Sequence, residues 1–176
     1  GSLAMAGIGT YTKIEGFAFL PITSFMMALT TFVSQNRGAK EYERAKKGAH
    51  FGLVCSVSLA ETIGVLIALF ATPLMRLFVD DPQVIQYGVE RAHYATILFF
   101  MLAYSHGVSA VLRGVGKSVV PMVVMLVCWC LVRVTLLTML NMLFHNILFV
   151  YLIYPFTWSL SSIVFFLYYR KINWQE

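Results

Sequence analysis

Charge is what this sequence lacks. Only 12% of its residues are Asp, Glu, Lys or Arg, while 59% are hydrophobic. An ordinary soluble domain carries about 25% charged residues, so too little polar surface is available here to cover the apolar mass in water. Acids are the scarcer sign, 8 against 13 Lys and Arg, which leaves a net charge of +5. Such a balance suits nucleic acid or a membrane face, and placement decides between them. The charges fall between long apolar runs, so no nucleic-acid partner is expected. Cysteine is scarce too. Cys55, Cys128 and Cys130 all lie inside apolar runs, and the last two point to different sides of a helix, which speaks against a disulfide framework or a metal site. The chain opens Gly1-Ser2-Leu3 with no basic n-region or cleavage-site pattern. No signal peptide is expected, and the chain reads as a fragment of something larger.

Signatures of catalysis are missing as well. Gly116-Lys117-Ser118 looks like the tail of a Walker A loop, but the glycine that should stand five residues before Gly116 is Val111. The apolar run around Ile97–Leu102 is also too long for the strand that should precede such a loop. No nucleotide is expected. A histidine followed five residues later by aspartate is absent, since His50, His93, His106 and His145 are followed by Cys55, Leu98, Val111 and Val150. His-Glu-x-x-His is absent too, so the chain reads as a non-enzyme without a cofactor.

What is present is a series of apolar runs long enough to cross about 30 Å of hydrocarbon at about 1.5 Å per residue. Five spans are predicted, at about 6–34, 51–75, 92–112, 119–142 and 147–169, in one membrane domain covering 1–176. The fold class is all-α, a polytopic integral membrane helical bundle whose first partner is the lipid bilayer. Pro21 should kink the first span. The connector 35–50 is polar, and Ala39, Tyr42, Ala45 and Ala49 with Glu43 four before Lys47 predict a short surface helix in it. It carries Arg37, Lys40, Arg44, Lys46 and Lys47; Arg113 and Lys117 lie in the third connector, and Arg170 and Lys171 in the tail. All share one side. On the other side Arg76 and Arg91 are offset by Asp80, Asp81 and Glu90. The positive-inside rule then makes the carboxyl end cytoplasmic. Tyr151, Tyr154, Trp158, Tyr168, Tyr169 and Trp174 read as interfacial anchors of the last span.

Polar residues inside the spans are informative because a central charge costs about 2.5–3.5 kcal/mol on insertion scales. Thr12, Glu15, Phe19, Thr23, Met26 and Thr30 are spaced to form one stripe on the first span. Hydroxyls, soft sulfur, an aromatic and one carboxylate suit a cavity for amphipathic cations. The same threonines can bond back to their own helix and leave the stripe as a packing surface, so both readings stand. Glu61 lies near mid-depth of the second span beside Ser58 and Thr62, on a face with Gly64 and Ala68. It carries a coupling proton, is held ionised by Arg133, which lies at comparable depth in the fourth span, or faces water with neither role. Glu15 is the other coupling candidate. His106 shares a face with Ser109 and Arg113 and reads as an interfacial histidine rather than a proton relay.

Several ordered motifs carry a resemblance. "AMAGIGTYTKIEGFAFLPITSF" (4–25), "SQNRGAKEYERAKKG" (34–48), "LRGVGKSVVPM" (112–122), "WCLVRV" (129–134) and "YPFTW" (154–158) together resemble the carboxy-terminal half of a multidrug and toxic compound extrusion (MATE) transporter. The resemblance implies helices eight to twelve of a twelve-helix, two-lobed, bacterial inner-membrane antiporter that exports drugs or organic cations in exchange for H⁺ or Na⁺. It also implies a missing amino-terminal lobe as partner. Some members carry a coupling carboxylate in the tenth helix, but 92–112 contains no acid; no coupling residue is carried over. A lipid-linked oligosaccharide flippase of the same superfamily would favour a more cationic cavity than one deep arginine supplies. A non-transporting membrane scaffold is the third expectation.

Overall fold

The computed structural model describes residues 1–144 and 146–175, so His145 and its motif position lie outside the described residues. Helix α1 runs unbroken over Ser2–Gly38 with Pro21 inside it. Pro21 leaves one carbonyl of the preceding turn without its N–H. Next to it, Thr23 Oγ1 and Ser24 Oγ both donate to Leu20 O, at 2.8 and 3.1 Å. Helix α2 spans Tyr42–Leu69. The expected separate surface helix between the first two spans is therefore corrected. Its residues from Tyr42 onward are the first turns of α2, and only Ala39, Lys40 and Glu41 lie outside a helix. The reason is a continuous small-residue face, since Ala45, Ala49, Gly52, Ser56, Ala60 and Gly64 are all buried on α2, and small residues let helices meet closely in a membrane. Lys40 takes the left-handed turn, at φ 63°.

The stretch before the third span is also a helix rather than a loop. Short α3 (Ala71–Arg76) leads to α4 (Pro82–Thr96). Asp81 caps α4 through Oδ1, which accepts from Gln83 N (2.8 Å) and Val84 N (3.4 Å), and Pro82 occupies the first turn, where its missing N–H costs nothing. Helix α5 follows at Phe99–Gly114, bent by 57° relative to α4. A single span over 92–112 thus becomes the end of α4, a break at Ile97–Leu98, and α5. Neither Pro nor Gly marks that break. Glu61 of α2 stands there instead, its Oε2 accepting from Phe100 N at 3.2 Å, in the first turn of α5 where backbone N–H groups have no carbonyl of their own helix to reach.

The hairpin after α5 closes as a Schellman turn. Lys117 N donates to Leu112 O (2.8 Å) and Gly116 N to Arg113 O (3.0 Å), with Gly116 at φ 81°. Arg37 at the end of α1 donates to Val115 O and ties the hairpin down. Helix α6 (Val119–Met125), a π-helical stretch (Leu126–Val132) and α7 (Arg133–Phe144) form one rod. Helix α8 (Ile147–Arg170) begins at Asn146, whose Oδ1 accepts from Leu148 N at 2.9 Å. Among the described residues, four helical segments are long and apolar enough to cross a membrane, and the bent α4–α5 pair makes a fifth if it counts as one span.

Helix α5 sits at the centre, with Ala103, Ser105, Val108, Ser109, Ala110 and Val111 all fully buried. It is joined to α8 by hydroxyls. Ser105 Oγ lies 2.9 Å from Ser161 Oγ and 2.8 Å from Ser162 Oγ, and Trp129 Nε1 donates to Ser161 Oγ at 3.1 Å. Such bonds inside a membrane contribute about 0.6 kcal/mol each. Ser161→Ala strands the Trp129 N–H as well, and is expected to cost about 1 kcal/mol. A few degrees lost from the thermal midpoint in detergent, with Trp129 emission altered, is the expected readout.

Candidate functional site

A cavity of about 370 Å³ opens between α1, α5, the π-helical rod and α8. From α1 it takes Thr12, Glu15, Gly16, Phe19 and Thr23; from α5, Leu102 and His106; from the rod, Trp129 and Arg133; from α8, Tyr154 and Trp158. Its walls are aromatic. The His106 ring bridges them, 4.9 Å from Phe19 on one side and 5.1 Å from Trp129 on the other, edge to face in both cases. The π-helical stretch matters because it widens the backbone turn around Trp129 just before Arg133, a distortion that recurs at functional sites.

The stripe on α1 divides. Thr12, Glu15, Phe19 and Thr23 line the cavity, whereas Met26 is buried in the core and Thr30 donates to Ala110 O of α5 at 3.1 Å. The division follows from glycines on α5. A Cβ at Gly114 would stand 2.9 Å from Thr30 O, and one at Gly107 would reach Leu53 and Met26 side chains, so α5 closes on this half of α1 and leaves no room for a cavity. Thr12 and Thr23 also bond back to Ile8 O and Leu20 O, at 2.9 and 2.8 Å, without leaving the cavity wall.

The two deep charges predicted to pair are not brought together. Glu61 lines a separate groove with Ser58, Thr62, Val65 and Phe100, and its carboxylate is engaged by Phe100 N. Arg133 lies across the bundle, where Nε and Nη2 both donate to Thr157 Oγ1 (3.1 and 2.6 Å) and the guanidinium packs on Tyr154, 4.5 Å from the ring centroid. The acid that shares a cavity with Arg133 is Glu15. A carboxylate at the first turn of α5 is favoured by the helix dipole and by the unpaired N–H groups there. Glu61→Gln keeps an acceptor and should leave the thermal midpoint nearly unchanged. Glu61→Leu removes it and should cost about 1–2 kcal/mol, seen as a lower midpoint in detergent.

Sequence reasoning missed Arg91. It was placed in a loop, yet it is 1% exposed and packs on two rings, 4.2 Å from the Tyr154 centroid and 5.7 Å from that of Tyr11. Its Nη1 donates to Tyr151 O at 3.4 Å. Cation–π contacts of about 0.5–2 kcal/mol each help offset the cost of a guanidinium there. The signal was available: Val84, Gly88, Arg91 and Ala95, spaced 4, 3 and 4, are the buried face of α4. His106 was read as interfacial but is a cavity wall, while Ser109 on the same face is buried and accepts from Arg113 Nη1 at 2.6 Å. Tyr154 and Trp158, read as anchors, are cavity walls too, and Tyr151 is buried with its hydroxyl donating to Tyr87 O at 3.3 Å. Among the described residues no cluster of His, Cys, Asp or Glu could hold a metal ion.

This cavity and the bent helix pair beside it belong to a chain with known relatives. The sequence profile of the MatE family matches residues 1–139. The chain belongs to the MatE family. It is 30% identical over 124 residues to the probable multidrug resistance protein NorM of Thermotoga maritima, covering 70% of this chain and 27% of that protein. The FAD transporter of Shewanella oneidensis is 31% identical over 84 residues, 48% of this chain and 19% of its own. The probable multidrug resistance protein YoeA of Bacillus subtilis is 24% identical over 178 residues, covering 100% of this chain and 38% of that protein. The chain thus spans well under half the length of the MatE relatives it matches. Family and helices together make it a multi-pass membrane protein.

Proposed function

We propose that this chain forms most of one lobe of a secondary active efflux transporter that moves drugs or organic cations against H⁺ or Na⁺ by alternating access. It would supply helices eight to twelve, with the substrate held between this lobe and an amino-terminal partner lobe. The observation that carries the reading is the aromatic cavity with Glu15 on its wall. Its volume falls in the range of drug-sized sites. Two of the three relatives described above bear multidrug resistance names. Coupling follows from linkage: a cation bound at the Glu15 carboxylate and a substrate in the same cavity exclude each other, so release of one favours binding of the other. The excess of Lys and Arg at the Gly114 end of the bundle orients that end and the carboxyl terminus toward the cytoplasm of a bacterial inner membrane.

Arg91 adds a second deep guanidinium, which lends support to the flippase reading. The cavity is sized for a drug-like body rather than a lipid-linked oligosaccharide, so efflux stays ahead. The test is dye movement in proteoliposomes of the full-length protein under an imposed H⁺ or Na⁺ gradient. Efflux that collapses with one gradient is the expected result. No movement under either, in a protein that is correctly assembled, would overturn antiport and favour a scaffold.

A further inference from the structure

Around Tyr154 the bundle gathers more positive than negative charge. Both guanidiniums pack on that one ring, Arg91 at 4.2 Å and Arg133 at 4.5 Å from its centroid. Glu15 is the acid within electrostatic reach of both. Two cations to one carboxylate is an unusual choice for a cavity meant only for cations. The arrangement is also unsaturated: Glu15 Oε1, Arg91 Nε and Tyr11 Oη are buried without a hydrogen-bond partner among the described residues. Arg91 and Tyr11 are each 1% exposed. Buried polar atoms of this kind cost about 1–3 kcal/mol apiece when left unsatisfied, and three of them converge on one place.

Arg133 is built to receive something. Its Nε and one Nη2 proton are spent on Thr157 Oγ1, and Thr157 is itself fixed by donating to Tyr154 O at 3.0 Å. That hold sets the plane of the guanidinium and leaves the remaining N–H groups of the fork free. A planar fork matches the oxygens of a carboxylate or phosphate, where a flexible ammonium would not. The rest of the cavity is Phe19, Leu102, Trp129 and Trp158, a surface for an apolar or aromatic body.

Resting on the transporter reading above, we propose that the deep end of this cavity is an anion subsite for the carboxylate or phosphate group of an amphipathic substrate. The anion is received by Arg133 with Arg91 behind Tyr154, and Glu15 is its intramolecular competitor. A zwitterion satisfies the whole site, its anion at Arg133 and its cationic group toward Glu15. Glu15 then has two duties in one position. While it is ionised it partly neutralises the guanidiniums and weakens the anion's hold; once neutral it releases them, so the exclusion of substrate by the coupling ion at Glu15 holds for a cationic group, and an anionic one is linked in the opposite sense.

The test uses the full-length protein in lipid nanodiscs and three radiolabelled probes of one shape: 2-naphthoate, 2-naphthalenemethanol and 2-naphthylmethylammonium, each corrected for binding to empty discs. 2-Naphthoate is expected to bind tightest. Glu15→Gln should tighten it about tenfold, because the competing carboxylate is gone, and Arg133→Gln should weaken it about tenfold, with Arg133→Lys between. A merely structural role for Glu15 would not improve affinity, so that variant decides the matter even where an arginine variant fails to fold. Competition by inorganic phosphate alone would uphold the anion subsite and assign it to a free anion. Preference for the ammonium probe, or a naphthoate affinity indifferent to Glu15→Gln, overturns the subsite and leaves the efflux cavity standing. Failure of all three probes to bind overturns both.

Discussion

Glu15→Gln in the full-length protein is expected to lower gradient-driven dye efflux at least tenfold, while Glu61→Gln stays within about twofold of wild type. The two acids looked equivalent as candidates, each a carboxylate in an apolar span. Their surroundings separate them. Glu61 is occupied by a backbone N–H at the start of α5, a bond that an amide oxygen can also accept. Glu15 has one carboxylate oxygen buried without a partner and shares its cavity with Arg133, His106 and Tyr154. A carboxyl there can change its proton or ion occupancy without dismantling a helix terminus, and Gln cannot take up that charge at all. A tenfold loss corresponds to about 1.4 kcal/mol in the limiting step, which is modest for the removal of the coupling group. Transport is measured as dye efflux from proteoliposomes, with surface expression and thermal midpoint as controls for assembly. Wild-type rates in Glu15→Gln would remove it from the coupling step; a tenfold loss in Glu61→Gln would mean that its negative charge, not its acceptor oxygen, is required.

The architecture was legible to the extent that composition and period control it. Apolar runs set the helices, and the tight α5–α6 hairpin was visible in Gly116 and in Pro121 within the first turn of α6. Gly114, two residues earlier, is a packing glycine instead, with a Cβ there 2.8 Å from Val33 Cβ. The break between α4 and α5 was illegible because no Pro or Gly marks it and the group that meets its new first turn, Glu61, lies on another helix. The cavity was legible in half. Four stripe residues on α1 line it, yet Met26 and Thr30 are lost to packing because small residues on α5 decide how near that helix comes. Arg91 was hidden by its neighbours. Glu90 beside it and Asp80 and Asp81 before it made the stretch look solvated, whereas helical period places Glu90 and Arg91 on different sides of α4. A charge between apolar runs was read as a loop charge; only the 4, 3, 4 spacing of the buried α4 face argued otherwise.

The same dependence on small residues makes Gly7→Val the substitution expected to damage the fold most. Gly7 lies where α1 crosses α4, buried against Gly88. A Cβ added at Gly7 would stand 2.6 Å from Val84 O, 2.8 Å from Tyr87 Cβ and 3.0 Å from Gly88 N. Two of those atoms are backbone, so no side-chain rotation relieves the clash and α4 must move as a body. That movement carries Arg91 away from the rings it packs on, Tyr11 of α1 and Tyr154 of α8. Overpacking alone costs about 1–3 kcal/mol, occasionally more, and the displaced guanidinium adds the cost of a buried charge deprived of its rings. Helix propensity pulls the other way, since a glycine in a helix interior gives up to about 1 kcal/mol when replaced by Ala. Gly9, two residues on, isolates that term: it is exposed, and a Cβ there meets nothing within 4 Å. Gly9→Ala is therefore expected to hold or raise the thermal midpoint in detergent, and Gly7→Val to lower it by 10 °C or more, on the order of 2–4 °C per kcal/mol, or to prevent recovery of folded protein. Equal midpoints for the two variants would mean that α1 and α4 do not meet at Gly7, and the placement of Arg91 against the cavity would fall with that contact.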